Sequence, residues 1–209
     1  MRVRVKICGI TSIEDALACV DAGADALGFL FHDKSRRFVS PERVRSIVDA
    51  LPPFVTTVGV FVDAKPETVR EIAHIAGIAV AQFHGDESAE ACDAAGLPYV
   101  KTIPVCGALD VRRVEAGYPR ASAILLDTAI GAERGGTGMS FDWELWPRES
   151  RRRLLLAGGL TVANVAGAIA ATHPYAVDVC TGVESAPGRK DVGKVRAFIA
   201  EVARASERR

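Results

Sequence analysis

The stretch Val3-Arg4-Val5-Lys6-Ile7-Cys8 alternates apolar residues with Arg4, Lys6 and Cys8. Successive side chains of a β-strand point to opposite faces, so the pattern predicts a strand whose odd-numbered residues share an apolar face. The other face carries a guanidinium, an ammonium and a thiol. Because the apolar face should pack against helices, the three polar side chains are expected to point away from them.

A strand followed by a helix recurs along the chain at intervals of about 20 to 30 residues. Eight strands are predicted, over residues 3–8, 25–31, 55–62, 79–83, 98–103, 122–127, 153–157 and 175–180. This alternation predicts a parallel α/β architecture, and eight such units close into a (β/α)8 barrel, or TIM barrel. The length of 209 residues is at the short end for that fold. A doubly wound open sheet is the alternative.

Several helix boundaries can also be placed. Ser12, with Asp15 three residues later, approximates a capping box at the start of the first helix. Ser40-Pro41 and Lys65-Pro66 each place a proline at the first position of a further helix. Glycines suited to end helices are found at Gly23, Gly77 and Gly96.

Composition and charge limit the classes of protein that the chain can belong to. With 49% hydrophobic residues and no linker or low-complexity segment, residues 1–209 are expected to form one domain. The 26 Lys and Arg residues balance the 26 Asp and Glu residues. The chain therefore has no overall basic field that would attract a polyanion, and no nucleic-acid partner is expected.

Targeting and cofactor signals are also missing from the sequence. The first residues go directly into the strand pattern, and no apolar run approaches the roughly 20 residues that span a bilayer. A cytoplasmic protein without a membrane partner is expected. The five cysteines are scattered and include no CxxC pair, so neither a disulfide framework nor a metal site is expected. No motif for a nucleotide or metal cofactor is present, and no cofactor is expected.

Strand parity predicts which polar side chains meet inside the barrel. Lys6 and Cys8 point inward from the first strand, and Asp127 points inward at the end of the sixth. The same parity turns four further residues inward, namely Gln82, His84, Asp178 and Cys180. The carboxyl ends of all strands in this fold meet at one mouth, where catalysis takes place. These side chains are therefore expected to converge at that mouth.

Cys8 and Asp127 are candidates for an acid and base pair. A carboxyl group can protonate an oxygen leaving group while a thiolate removes a proton from carbon. An ordinary thiol titrates near 8.5, so a neighbouring cation would favour the thiolate, and Lys6 on the same face is the expected helper. An inert buried thiol and a helix-capping carboxylate are the alternatives for these two residues.

Two kinds of loop suggest an anionic ligand. Residues 34–38 follow the second strand and bring the guanidinium groups of Arg36 and Arg37 beside the mouth, where an arginine can hold a carboxylate through two parallel hydrogen bonds. A solvated basic loop is the alternative. Glycine-rich turns follow strands seven and eight, with Gly158-Gly159 in one and Thr181-Gly182 in the other. Barrels of this class commonly bind phosphate there. A further cluster at residues 135–138 is interpreted as a lid or as a flexible connection.

A series of motifs, taken in order, resembles the phosphoribosylanthranilate isomerases from the first strand to the last helix. They are Lys6 to Ile10, Ser35 to Val39, Val58 to Val62, Gln82 to Gly85, Leu125 to Asp127, Gly135 to Gly138, Asp178 to Glu184 and Pro187 to Asp191. The resemblance implies a cofactor-free barrel that carries out an Amadori rearrangement of a phosphosugar in tryptophan biosynthesis. Whether the chain is a monomer or a homodimer is left open.

The resemblance also implies roles for residues of this chain. Asp127 matches the general acid that protonates the furanose ring oxygen, and Cys8 matches the general base that removes the C2 proton. Arg37 matches the residue that holds the anthranilate carboxylate. The expected phosphate cradle consists of Gly158, Gly159, Thr181 and Gly182, and the expected pocket lining consists of Gln82, His84 and Asp178.

One position departs from the family pattern. The family usually has Asp-Val-Ser-Ser-Gly-Val-Glu where this chain has Asp178-Val179-Cys180-Thr181-Gly182-Val183-Glu184. Backbone N–H groups do not depend on the side chain, so phosphate binding should survive, but a contact from a serine hydroxyl at 180 is lost. Two alternatives remain: the related histidine-pathway isomerase, whose catalytic pair resembles two aspartates, and a catalytically silent phosphosugar-binding barrel.

Overall fold

The computed structural model describes residues 2–105, 107–127, 143 and 146–207. Eight parallel strands form a closed barrel in the order of the chain, and β1 pairs with β8 to complete it. The strands are β1 (Arg4–Cys8), β2 (Ala26–Leu30), β3 (Thr56–Phe61), β4 (Val80–Phe83), β5 (Tyr99–Pro104), β6 (Ala123–Asp127), β7 (Leu154–Ala157) and β8 (Ala176–Val179). The predicted barrel is confirmed, and the open-sheet alternative is wrong because the edge strands pair with each other.

Helices follow seven of these strands. They are α1 (Ile13–Asp21), α2 (Pro41–Val48), α3 (Pro66–Ala76), α4 (Ala89–Ala94), α5 (Val111–Gly117), α6 (Val165–Thr172) and α7 (Val192–Glu207). The chain after β6, including the predicted lid at 135–138, lies outside the described residues. No helix in the described part of the chain combines the length and the apolar character needed to cross a membrane.

The helix ends follow the local chemistry of the sequence. Ser12 and Ser40 each accept a hydrogen bond from a backbone N–H three residues later, which satisfies a donor that the first helical turn leaves unpaired. Pro66 begins α3, and Gly77 ends it with a φ of +72°. A residue with a Cβ is strained in that left-handed conformation, so the glycine suits this helix end.

Two apolar layers hold the barrel together. The larger layer lies between strands and helices and includes Val3, Val5 and Ile7, as strand parity predicted. The smaller layer lies inside the barrel and includes Leu125 and Leu155. Polar side chains replace this inner layer where β1 and β8 pair, because Lys6 lies opposite Asp178. The barrel interior is therefore apolar on one side and charged on the other.

A short antiparallel hairpin follows β8 and was not predicted from the sequence. A 3-10 turn over Thr181–Val183 leads into β9 (Glu184–Ala186), which pairs with β10 (Arg189–Lys190). The hairpin is tied to α1, since Lys190 N donates to Asp15 Oδ2 at 2.8 Å. Its strands are only three and two residues long, too short to show an alternating pattern. The hairpin brings Glu184 and Lys190 to the mouth of the barrel.

Candidate active site

The carboxyl ends of the barrel strands bring the predicted site residues to one rim. Cys8 is the last residue of β1, and Asp127 is the last residue of β6. Since all eight strands are parallel, both residues lie at the same end of the barrel. Cys8 is 9% exposed, and the side chain of Asp127 is 23% exposed. Both groups are thus sheltered at the rim.

Asp127 faces Gln82 of β4 and His84, which directly follows that strand. Nε2 of His84 lies 3.5 Å from Oδ2 of Asp127, and Nδ1 of the same ring lies 3.3 Å from Nε2 of Gln82. When the Gln82 amide donates to Nδ1, the neutral ring carries its proton on Nε2, which faces the carboxyl group. The Gln82 amide is fixed in turn by Thr102 Oγ1 at 3.3 Å. The structure thus brings together three predicted site residues from two strands.

Cys8 lies in a charged and hydrogen-bonded part of the barrel interior. The interaction with the neighbouring Cys180 thiol is the main reason why the pKa of Cys8 is lowered. Burial opposes the shift, whereas the positive charge of Lys6 adds to it. The sequence predicted the contribution of Lys6 but missed that of Cys180. The lowered pKa therefore favours the thiolate form of Cys8 near neutral pH.

Lys6 itself is paired with Asp178. Lys6 Nζ donates to Asp178 Oδ2 at 2.8 Å, and both side chains are less than one-tenth exposed. Burial alone would lower the pKa of Lys6, but the charges of Asp178 and Cys8 outweigh it and raise the pKa. Asp178 Oδ1 is buried and has no hydrogen-bond partner among the described residues. It is thus available to accept a hydrogen bond from a ligand.

Gly28 on β2 provides the space that these side chains occupy. A Cβ at this position would come within 2.9 Å of both Cys8 Sγ and Lys6 Nζ. Real Cβ atoms do not approach other atoms so closely, so a side chain at 28 would displace the thiol or the ammonium. The sequence did not indicate this packing role, because a glycine within a strand does not reveal its neighbours.

Arg37 is held at the mouth by two parallel hydrogen bonds. Its Nε donates to Glu184 Oε1 at 2.7 Å, and its Nη2 donates to Glu184 Oε2 at 2.6 Å. Among the described residues, the side chain of Arg37 donates hydrogen bonds only to Glu184. Three of the five N–H donors of Arg37 are therefore left for a ligand. The hydrogen bond with Glu184 raises the pKa of Arg37.

Lys190 completes this cluster from β10. Lys190 Nζ donates to Glu184 Oε1 at 3.0 Å, and its side chain is fully buried. Burial would raise the pKa of Glu184, but the hydrogen bonds and charges of Arg37 and Lys190 outweigh it and lower the pKa to about 2. The trio of Arg37, Glu184 and Lys190 therefore carries a net positive charge, which favours an anion beside it. Neither Glu184 nor Lys190 was singled out from the sequence.

The two predicted glycine turns lie against each other. A Cβ on Gly182 would come within 1.9 Å of the carbonyl oxygen of Leu160, so the turn after β8 touches the turn after β7. Gly158 and Gly159 both have positive φ, at +94° and +62°. No described atom lies within 4 Å of the position that a Cβ on Gly159 would take. The turn after β7 thus leaves open space beside Gly159, which suits an anion.

The described residues contain no group of three or more His, Cys, Asp or Glu side chains placed to hold a metal ion. The absence of a metal or organic cofactor stays a prediction from the sequence.

The sequence model of N-(5'-phosphoribosyl)anthranilate (PRA) isomerase matches residues 5–201 of the chain. The chain belongs to this isomerase family. A relative with that name from Pseudomonas fluorescens is 53% identical over 197 residues, which cover 94% of this chain and 97% of the relative. The family resemblance deduced from the sequence is confirmed.

Solved structures of family members have the same fold. The phosphoribosylanthranilate isomerase of Thermotoga maritima superposes with a TM-score of 0.89 at 46% identity, covering 96% of this chain and 98% of that one. A second structure, with a TM-score of 0.85 at 43% identity and the same coverage, contains reduced 1-(o-carboxyphenylamino)-1-deoxyribulose 5-phosphate. A third, with a TM-score of 0.84 at 42% identity and again the same coverage, consists of monomers generated from the dimeric Thermotoga maritima isomerase.

The environment of Cys8 predicts how its reactivity depends on pH. The rate at which iodoacetamide modifies Cys8, followed residue by residue by mass spectrometry, should have a midpoint below the roughly 8.5 of an ordinary thiol. Burial raises the pKa of Cys19 to about 12 and that of Cys92 to about 11, so these thiols should react little in the same range.

Cys180→Ala should move the Cys8 midpoint upward because it removes the neighbouring thiol that lowers the pKa of Cys8, whereas Cys19→Ala should leave the midpoint unchanged. A midpoint at or above 8.5 in the unmodified protein would contradict this account of the site.

Proposed function

We propose that this chain isomerises N-(5-phosphoribosyl)anthranilate to 1-(2-carboxyphenylamino)-1-deoxyribulose 5-phosphate, the Amadori rearrangement of tryptophan biosynthesis. The match of nearly the whole chain to the isomerase family carries the proposal. The chemistry of the rim supports it, since a carboxyl group and an activated thiol lie at the same end of one barrel. The reaction needs a group that protonates oxygen and a group that deprotonates carbon.

Asp127 is the proposed general acid. It would protonate the furanose ring oxygen, so that the C1–O bond breaks and the nitrogen lone pair forms a Schiff base with C1. The contact with His84 at 3.5 Å and the hydrogen bond between Gln82 and His84 support this role, because they hold the carboxyl group in one place. A fixed donor at the ring oxygen loses less entropy on reaching the transition state.

Cys8 is the proposed general base. Its thiolate would remove the proton from C2, and the electrons of the C–H bond would move into the iminium group to give an enolamine. Tautomerisation then protonates C1, releases the hydroxyl proton at C2 and leaves the ketone. The lowered pKa of Cys8 supports the role, since the thiolate is the form that accepts a proton.

The remaining residues would hold the anionic parts of the substrate. Arg37, with its net positive cluster, suits the anthranilate carboxylate. The expected phosphate site comprises Gly158, Gly159, Thr181 and Gly182, whose turns are in contact. The unpaired Oδ1 of Asp178 suits a sugar hydroxyl. The cysteine at 180 changes a side chain and not the backbone N–H groups of these turns, so phosphate binding should survive.

The chain is further proposed to act as one catalytic domain in the cytoplasm, where its phosphorylated substrate would be retained. We also propose a homodimer, as in the dimeric relative. Phe54 supports a dimer, because its ring is fully exposed and its φ of +71° is unfavourable for a bulky residue. Phe54 precedes β3, at the end of the barrel opposite to Cys8 and Asp127, so a partner there would leave the mouth open.

Replacement of either proton-transfer group should lower turnover. Cys8→Ser and Asp127→Asn are each expected to reduce kcat about 10²-fold or more, with little change in KM. The assay follows the loss of anthranilate-type fluorescence on freshly prepared phosphoribosylanthranilate. Cys19→Ser, which alters a thiol on α1, serves as the control and should keep its activity. Absence of turnover in the unmodified protein would favour the silent phosphosugar-binding barrel instead.

The Arg37 cluster should affect binding more than chemistry. Arg37→Ala removes charged hydrogen bonds worth about 1.5–3 kcal/mol, so KM should rise by about 10- to 100-fold while kcat changes less. Glu184→Gln should give a smaller rise in KM, because Arg37 remains but its hydrogen-bond partner no longer carries a negative charge. Glu71→Gln on the outer surface of α3 is the matched control. Unchanged KM in Arg37→Ala would remove this residue from the site.

The proposed dimer can be tested at Phe54. Phe54→Glu should convert a dimer into a monomer in size-exclusion chromatography with light scattering, because a charge would be buried at the contact. Ile75→Glu, a similar change at another exposed apolar residue, should leave the dimer intact. A monomeric unmodified protein would show that the dimer proposal is wrong.

A further inference from the structure

Cys8 is the last residue of β1, and Cys180 directly follows β8, the strand that pairs with β1. β1 and β8 pair in register, with Lys6 opposite Asp178 and Ile7 opposite Val179. One step further along this register places Cys180 beside Cys8. Neighbouring strands are about 4.8 Å apart, which lies within the roughly 4.4–6.8 Å between Cα atoms that a disulfide requires. Cys8 shares the parity of Lys6, so its side chain is on the interior face. Cys180 directly follows Val179, the last residue of β8.

The two thiols are neighbours, and the surroundings of Cys8 favour a reactive sulfur. Cys180 Sγ lies 3.0 Å from the position that a Cβ on Gly9, the residue after Cys8, would take. The interaction between the two thiols lowers the pKa of Cys8 and raises that of Cys180. On the β1 side, the charged neighbours of Cys8 are Lys6 and its partner Asp178. On the hairpin side, Cys180 Sγ lies 3.8 Å from Glu184 Oε1 and 4.0 Å from Lys190 Nζ. A low-pKa sulfur beside a second thiol is the usual arrangement of a redox-sensitive cysteine pair.

Small reagents can reach this pair through the mouth of the barrel. Cys8 lies at the rim and Cys180 is partly exposed, whereas Cys19 and Cys92 are fully buried among the strands and helices. Burial also raises the pKa of these two cysteines. Among the cysteines that the structure describes, Cys8 and Cys180 therefore combine a sulfur with a lowered pKa, at Cys8, with access for small reagents from the mouth.

We propose that Cys8 and Cys180 form a peroxide-reactive dithiol that closes to a disulfide and reversibly inactivates the enzyme. The inactivation rests on the proposed function, since it requires Cys8 to be the catalytic base. The formation of the disulfide does not depend on that function.

The oxidation proceeds in two balanced steps with a hydroperoxide as the oxidant. The Cys8 thiolate attacks one peroxide oxygen, an S–O bond forms, the O–O bond breaks, and the departing hydroxide takes a proton to become water. Cys8 is then a sulfenic acid. The Cys180 sulfur attacks the Cys8 sulfur, an S–S bond forms, the S–O bond breaks, and the leaving hydroxide takes the Cys180 proton. Two thiols and one hydrogen peroxide thus give one disulfide and two waters.

The second thiol determines whether the oxidation can be reversed. A sulfenic acid without a thiol partner is oxidised further by excess peroxide to a sulfinic acid, which thiol reagents do not reduce. A serine at 180, the residue usual in this family, can donate a hydrogen bond to Cys8 but cannot form the disulfide. Cys180→Ser therefore removes the redox step and keeps a polar neighbour of similar shape.

The test exposes the purified, full-length protein to hydrogen peroxide and then blocks the remaining thiols with iodoacetamide. Mass spectrometry of the unreduced digest should find the peptides of Cys8 and Cys180 joined, with the loss of two hydrogen atoms. Isomerase activity should fall in proportion to the disulfide formed, and dithiothreitol should restore it. Cys19→Ala, which changes a buried thiol on α1, should behave like the unmodified protein.

Cys180→Ser should form no such link. With excess peroxide it should accumulate sulfinic acid at Cys8, and dithiothreitol should not restore its activity. A protein that has isomerase activity but forms no link between Cys8 and Cys180 would overturn the dithiol proposal alone. A protein that forms the link but has no activity before oxidation would support the dithiol and contradict the proposed function.

Discussion

The buried ion pair between Lys6 and Asp178 is the constraint on which the site depends. It joins β1 to β8, the two strands whose pairing closes the barrel. Removal of one partner would leave an uncompensated charge in the interior, which costs about 3–5 kcal/mol. The pair therefore favours one register of the closing strands. That register sets the positions of Cys8 and Cys180, each two residues further along the chain.

The charged residues of the site form three separate groups with different functions. Lys6 and Asp178 together are neutral and lie within the barrel, where the positive charge of Lys6 lowers the pKa of Cys8 and the negative charge of Asp178 raises it. The cluster at the mouth, formed by Arg37, Glu184 and Lys190, has a net positive charge and faces an anionic substrate. Asp127 lies with His84, away from both groups. This separation allows one barrel to keep a basic thiol and an acidic carboxyl group at the same rim.

Much of the architecture could be read from local patterns. All eight strands were predicted, because each combines an apolar run with an adjoining turn or helix start. The parity of residues 3–8 also predicted correctly that Lys6 and Cys8 point inward. The hairpin over Glu184–Lys190 was missed, since its short strands are held by contacts to α1 that are remote in sequence. The bidentate partner of Arg37 was missed for the same reason, because 147 residues separate it from Glu184.

The sequence alone determined the periodicity of the strands, the faces of their side chains, the glycine turns and the family motifs. These are local properties, set by the alternation of backbone geometry and by residue chemistry. Only the tertiary structure decided which thiol contacts Cys8, which carboxylate holds Arg37 and where Lys190 lies. Contacts of this kind depend on the closure of the barrel and on the placement of a loop over its mouth. No local pattern of residues shows which residues, remote in sequence, lie within contact distance of each other.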